Sequence, residues 1–158
     1  MKPQINILFV CLGNICRSPM AEYVMRDKIK QAHLDNLIFT DSAGTAGWHE
    51  GEDMHRGTAK VLAQHQIDNK GFSSRPIKKS DWDQFDYIIA MDDSNLRDLE
   101  KLFGKSSEKL FQITTLRSDL PYDHIPDPWY TNNFDETYAL LDKCCESLLV
   151  KIKQTHHL

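Results

Sequence analysis

The sequence predicts an α/β protein, a three-layer doubly wound fold in which a four-stranded parallel sheet is flanked by helices. Two observations predict it. Short apolar runs of strand length alternate with longer stretches at helical spacing, the order that produces parallel strands joined by crossover helices. The first run, within Lys2 to Val10, carries Ile5, Ile7, Leu8, Phe9 and Val10 almost without interruption, as a strand buried on both faces does. Ligands of such a sheet bind at the carboxyl ends of its strands.

The elements follow in order. Gly13-Asn14 breaks the first strand, and Ser18-Pro19 opens a helix with proline in its first turn, continued by Met20, Val24 and Ile29 toward Ala32. Leu37 to Thr40 reads as the second strand, and Asp53 to Gln64 as a helix carrying Ala59, Val61, Leu62 and Ala63. Asp86 to Met91 is the third strand, Ser94 caps a helix through Leu102, and Lys109 to Ile113 is the fourth strand. Leu120 to Asn133 is rich in proline, aspartate and aromatics and has no periodicity; so long a loop in a compact domain is usually functional or disordered. Phe134 to Lys153 is a long helix with Tyr138, Leu141, Cys145, Leu148 and Ile152 on one stripe. No repeat, low-complexity tract or linker divides the chain, so residues 1–158 are expected to form one domain.

A chain of 158 residues can bury roughly 70% of its unfolded surface, enough to fold without metal or disulfide. With 41% hydrophobic and 27% charged residues it lies in the globular range, which excludes disordered, collagen-like and coiled-coil classes. The net charge is -4, from 19 basic and 23 acidic residues, and the basic ones are scattered, so nucleic acid is not an expected partner. The longest apolar run, Ile7 to Leu12, is far below the ~20 residues of a membrane span, and no signal-peptide core follows Lys2. A cytoplasmic protein without a membrane partner is expected. The cysteines at positions 11, 16, 144 and 145 suit a reduced setting, and Cys144 and Cys145 read as packing residues of the last helix. No His-x-x-x-His or His-Glu-x-x-His arrangement occurs; His49 and His55 read as loop or helix-start residues, and neither metal nor cofactor is expected.

The chemistry concentrates in Cys11-Leu12-Gly13-Asn14-Ile15-Cys16-Arg17-Ser18, between the first strand and the first helix. Curling this segment around one point turns successive backbone N–H groups inward, and the helix behind it adds its positive end, which makes a cradle for an oxyanion. Gly13 permits close approach, Arg17 can grip two oxygens, and Cys11 at the bottom is favoured as its thiolate. Taken alone, the spacing from Cys11 to Arg17 is weak, and both cysteines could be small buried hydrophobes. The strand ahead, the helix behind and Arg-Ser-Pro at the exit favour the cradle. This segment lacks the Gly-Lys-Ser/Thr of a Walker loop, and no Gly-x-Gly-x-x-Gly fingerprint is present.

A thiolate attacking phosphorus needs a partner that protonates the departing oxygen. Asp127, in the proline-stiffened Ile125-Pro126-Asp127-Pro128-Trp129-Tyr130, is the candidate acid, and then the base for water. Without the cysteine loop, Asp-Pro would read as an ordinary turn.

Together with Ser42-Ala43-Gly44-Thr45, Trp48-His49, Gly51, Met91-Asp92, Ser94-Asn95-Leu96 and Asp127-Pro128, the loop resembles the low-molecular-weight protein tyrosine phosphatases over nearly the whole chain. The resemblance implies hydrolysis of phosphotyrosine in proteins through a cysteinyl-phosphate, with no metal or cofactor. It implies Cys11 as nucleophile, Arg17 as phosphoryl clamp and Asp127 as general acid. It places Leu12, Gly13, Asn14, Ile15, Cys16 and Ser18 around the phosphate, with Trp48, Trp129 and Tyr130 walling the entrance and Ser42 and Asp92 behind. The expected ligands are phosphate or other oxyanions, and the expected state is a monomer or weak homodimer. One position departs from the pattern: where many members carry a histidine that bonds the loop asparagine, this chain has Phe72, so Ser73, Ser74 or water must complete the network around Asn14.

Three alternatives compete. An arsenate reductase of this fold needs relay cysteines, and residues 75–95, where they would lie, contain none. A protein arginine phosphatase tends to carry threonine where Ile15 stands. A phosphotyrosine reader without turnover would need neither Cys11 nor Asp127.

Overall fold

The computed structural model describes residues 4–158. Its sheet is four-stranded and all parallel, in the order β2-β1-β3-β4, with β1 at Ile5–Cys11, β2 at Ile38–Gly44, β3 at Tyr87–Ala90 and β4 at Leu110–Gln112. Helix α1 (Arg17–Gln31) connects β1 to β2; α2 (Arg56–Gln64) and the short α3 (Asp81–Gln84) lie between β2 and β3. Helix α4 (Asp93–Phe103) connects β3 to β4, and α5 (Pro128–Thr131) and α6 (Phe134–Thr155) close the chain.

Alternation along the buried strands explains the layers. Ile5, Ile7, Phe9 and Cys11 of β1 face one way and pack with Met20 and Val24 of α1 and Leu141, Cys145 and Leu148 of α6. Leu8 and Val10 face the other way and pack with Ile88 and Ala90 of β3 and Leu99 of α4. The strand order reverses at β1, so the crevice beyond its carboxyl end is where a ligand can enter such a sheet. Among the described residues, no helix is long and apolar enough to cross a membrane.

Several boundaries differ from the sequence expectations. Lys2 and Pro3 of the expected first strand lie outside the described residues. The second strand runs past Thr40 to Gly44, because Asp41 to Gly44 pair with Leu8 to Cys11 despite their polar composition. Arg56, not Asp53, begins α2, with the His55 side chain as its cap. The cap of α4 is Asp92, which accepts from the Asn95 N–H at 2.8 Å, and Ser94 lies inside the helix. The last strand stops at Gln112, and Ile113–Leu116 tightens into a 3-10 turn. The aperiodic segment holds one short helix, α5, started by Asp127.

Candidate active site

The segment between β1 and α1 turns at the carboxyl edge of the sheet. Among the described residues, no backbone N–H of residues 13–16 donates to a protein acceptor. Cys16 stands at the N-cap of α1 without capping it through its side chain, so the first turn also keeps free donors. Asn14, not Gly13, holds the left-handed conformation, with φ 56°. An L-residue adopts that region at a cost, and here side-chain bonds hold it. Gly44 closes the loop from below: a Cβ there would lie 2.8 Å from the carbonyl oxygens of Leu12 and Ala46.

A directed network runs under the loop. The Arg75 N–H, which can only donate, bonds Asn14 Oδ1 at 2.9 Å, so Asn14 Nδ2 must donate to Ser18 Oγ at 2.9 Å and Ser42 Oγ at 3.0 Å. With one lone pair of Ser18 Oγ taken, its proton is free for Cys11 Sγ at 3.0 Å, the direction that stabilises a thiolate. The Ser42 hydroxyl donates to Glu22 Oε1 at 2.6 Å. The Ser74 hydroxyl donates to the Asn14 carbonyl at 2.6 Å, so Ser74 and the Arg75 backbone serve where Phe72 cannot. Phe72 packs edge-on against Tyr23, with ring centroids 6.1 Å apart.

Arg17 is 2% exposed and is fixed by fold contacts. Its Nη1 donates to Asp92 Oδ2 and to the Ile125 carbonyl, both at 2.8 Å, and its Nη2 lies 3.5 Å from Asp127 Oδ2. Burial alone would lower its pKa, but the facing charges of Cys11, Asp127 and Asp92 raise it, so the guanidinium stays charged. Asp92 thus uses one oxygen to cap α4 and the other to hold Arg17. Burial, reinforced by Cys11 and Asp127, pushes the Cys16 thiol up to about 12, so Cys16 remains a neutral thiol.

Above this floor opens a cleft with a cavity volume of about 130 Å³. Cys11, Leu12, Gly13, Ile15 and Cys16 form its base, and Trp48, His49, Asp127, Trp129 and Tyr130 its walls. Asn14, Ser18 and Ser42 lie behind the base, buried. Sequence patterns do not single out His49, Glu22 or the Ile125 carbonyl for this site. Glu22 is the most legible of them, since it lies one helical turn after Ser18 on the same face of α1.

A buried cysteine and arginine at opposite ends of a loop of free N–H groups, facing an aspartate across an aromatic cleft, agree with what comparisons with known proteins find. The family model for low molecular weight phosphotyrosine protein phosphatase matches residues 6–158. The chain belongs to this family. It is 42% identical to the low molecular weight protein-tyrosine-phosphatase YfkJ of Bacillus subtilis over 155 residues, 98% of this chain and 99% of that protein. The crystal structure of YfkJ matches with a TM-score of 0.93 at 41% identity, covering 96% of each chain. A protein tyrosine phosphatase of Entamoeba histolytica matches with a TM-score of 0.86 at 35% identity, over 96% of this chain and 99% of that one. An arginine phosphatase of Drosophila matches at 0.83 and 31%, over 97% and 98%. These structures thus share the fold over at least 96% of this chain and of their own.

Proposed function

We propose that this protein hydrolyses phosphotyrosine in proteins through a cysteinyl-phosphate, with Cys11 as nucleophile, Arg17 as phosphoryl clamp and Asp127 as general acid and base. The observation that carries this reading is the Cys11 sulfur at the base of the cleft, 3.0 Å from a Ser18 hydroxyl whose proton Asn14 steers toward it. In the first step the thiolate attacks phosphorus, the S–P bond forms as the bond to the phenolic oxygen breaks, and that oxygen takes the proton of Asp127. The free N–H groups of residues 13–16 and the unengaged N–H donors of Arg17 bind the non-bridging oxygens, where negative charge must be held. In the second step water attacks phosphorus and gives its proton to the Asp127 carboxylate. The S–P bond breaks, and phosphate leaves as Cys11 returns to thiolate.

Trp48, Trp129 and Tyr130 are 72%, 56% and 79% exposed at the mouth, an unusual grouping of solvent-facing aromatics that suits a phenyl ring. Ile15 at the base is apolar where the arginine-specific reading expects threonine, although the Drosophila relative keeps that reading as the competitor. Cys144 and Cys145 are buried in the core with α1, away from the cleft, so neither serves there as a relay thiol for reductase chemistry. The test is phosphate release from phosphotyrosine, phosphoserine and phosphoarginine peptides side by side, with phosphotyrosine expected to turn over fastest. Faster release from phosphoarginine would overturn the substrate assignment. Cys11→Ser should lose turnover to below about one percent of wild type while inorganic phosphate still binds, because the cradle and Arg17 survive. Residual activity above that level removes the cysteinyl-phosphate.

A further inference from the structure

The segment that carries Asp127 is tied to the molecule at its base. The Ile125 N–H donates to the Met91 carbonyl at 2.9 Å, Arg17 bonds the Ile125 carbonyl at 2.8 Å, and the Thr114 hydroxyl donates to the Asp123 carbonyl at 2.7 Å. Beyond Asp127, among the described residues, the backbone donors of residues 129–133 bond only within the segment. A four-residue helix such as α5 has little rigidity of its own. What holds it laterally is ring packing. His55 stands edge-on to Trp129 with centroids 5.8 Å apart and an interplanar angle of 83°, and it stacks on Phe134 at 4.8 Å and 24°. One imidazole therefore touches the chain at both ends of α5.

The same residue is fixed to the phosphate cradle. The backbone N–H of His55 donates to the Ile15 carbonyl at 2.8 Å. Its Nδ1 accepts from the Gly57 N–H at 2.9 Å, and because a backbone N–H can only donate, the ring is oriented with Nδ1 unprotonated. Gly57 has no side chain for a related reason: a Cβ there would lie 2.5–2.6 Å from the Phe134 ring, so the stack on His55 requires glycine.

We infer that His55 is a positioning residue, its backbone holding the cradle at Ile15 and its ring holding Trp129 and Phe134, so that Asp127 is set at a fixed distance over Cys11. This rests on the proposed role of Asp127. If the ring sets the acid, losing it harms the proton transfer and spares phosphate binding. The penalty should then grow with the basicity of the leaving group.

The experiment uses the full chain with His55→Asn, which keeps a capping oxygen and loses the ring, and His55→Phe, which keeps a ring and loses the cap. His55→Ser, a second cap without a ring, ensures that the result does not hang on the folding of one variant. Pre-steady-state phosphorylation is followed with phenyl phosphate, a poor leaving group, and p-nitrophenyl phosphate, a good one. Both ring-less variants should lose about tenfold with phenyl phosphate and less than about threefold with p-nitrophenyl phosphate, with inhibition by inorganic phosphate unchanged. His55→Phe should stay within about threefold of wild type on both. Ring-less variants that match wild type, or lose equally on both substrates, overturn the inference, as does a His55→Phe variant that loses as much as they do. Asp127→Ala runs alongside: selective loss there with none in His55→Asn rejects the inference alone, whereas no leaving-group dependence in Asp127→Ala overturns the general-acid reading and this inference with it.

Discussion

Arg17 and Asp127 are held by different kinds of contact, and their substitutions should fail differently. Arg17 is buried, with one nitrogen committed to Asp92 and the Ile125 carbonyl, so the planar fork is aimed before any phosphate arrives. Lysine offers a point charge without that fork. Arg17→Lys should therefore lower kcat by about a hundredfold or more, and wild-type kinetics in that variant would show that the guanidinium is not used as a clamp. Among the described residues, the Asp127 carboxylate accepts the Trp129 N–H and a long contact from Arg17, which leaves it available to the cleft. Tyrosine is a poor leaving group without a proton, so Asp127→Ala should slow phosphorylation by phosphotyrosine by roughly a hundredfold, and by an acidic phenol much less. Equal losses in single-turnover experiments would send the search for the proton donor elsewhere. Both side chains are legible in the sequence, but only folding reveals that Asp92, Ile125 and Asp127 meet at one guanidinium, because Arg17 lies far from all three along the chain.

At the level of elements, the start of α2 shows how packing reverses a local preference. Glycine in a helix usually costs about 0.5–1 kcal/mol relative to alanine, so Gly57→Ala would be expected to stabilise. Here the added Cβ would meet the Phe134 ring at 2.5–2.6 Å, and that ring is buried and stacked on His55. The variant should instead be less stable by about 1–3 kcal/mol, read as a lowered melting temperature. An unchanged or raised value would mean that Phe134 yields freely. The sequence pattern places this helix but begins it at Asp53, since neither the His55 cap nor the approach of Phe134 leaves a trace in hydrophobic periodicity. The extension of β2 to Gly44 is hidden for a similar reason: Asp41 and Ser42 look like loop residues until the Arg75 and Asn14 bonds that satisfy them are known.

For the molecule as a whole, Glu22 links stability to pH. Burial pushes its carboxyl up from an ordinary 4.5 to about 7, with the Ser42 hydrogen bond opposing and the Asp41 charge reinforcing the shift. The folded state therefore holds this proton more tightly than the unfolded chain does. The stability it contributes is complete below the ordinary carboxylate pKa and is lost as pH rises through about 7. A glutamine side chain at this position carries no such titration, so Glu22→Gln should gain on wild type by about 3 kcal/mol between about pH 5 and about pH 8. Melting temperatures of the two proteins across that range test this, and a constant difference between them would contradict it.

The α/β class, the order of strands and helices, the cradle segment from Cys11 to Ser18 and its family are all readable without coordinates, because they depend on residues close together in the chain and on periodicities that burial imposes. Folding in three dimensions is what makes Ser74 and the Arg75 backbone replace the missing histidine, lets Asp92 cap a helix while holding Arg17, and carries the network beneath Cys11 on to Glu22. Each of these depends on hydrogen bonds between residues about 20 or more positions apart, where one donor's direction fixes the next. No local pattern records such a direction, and it exists only once the carboxyl edge of the sheet has brought the partners together.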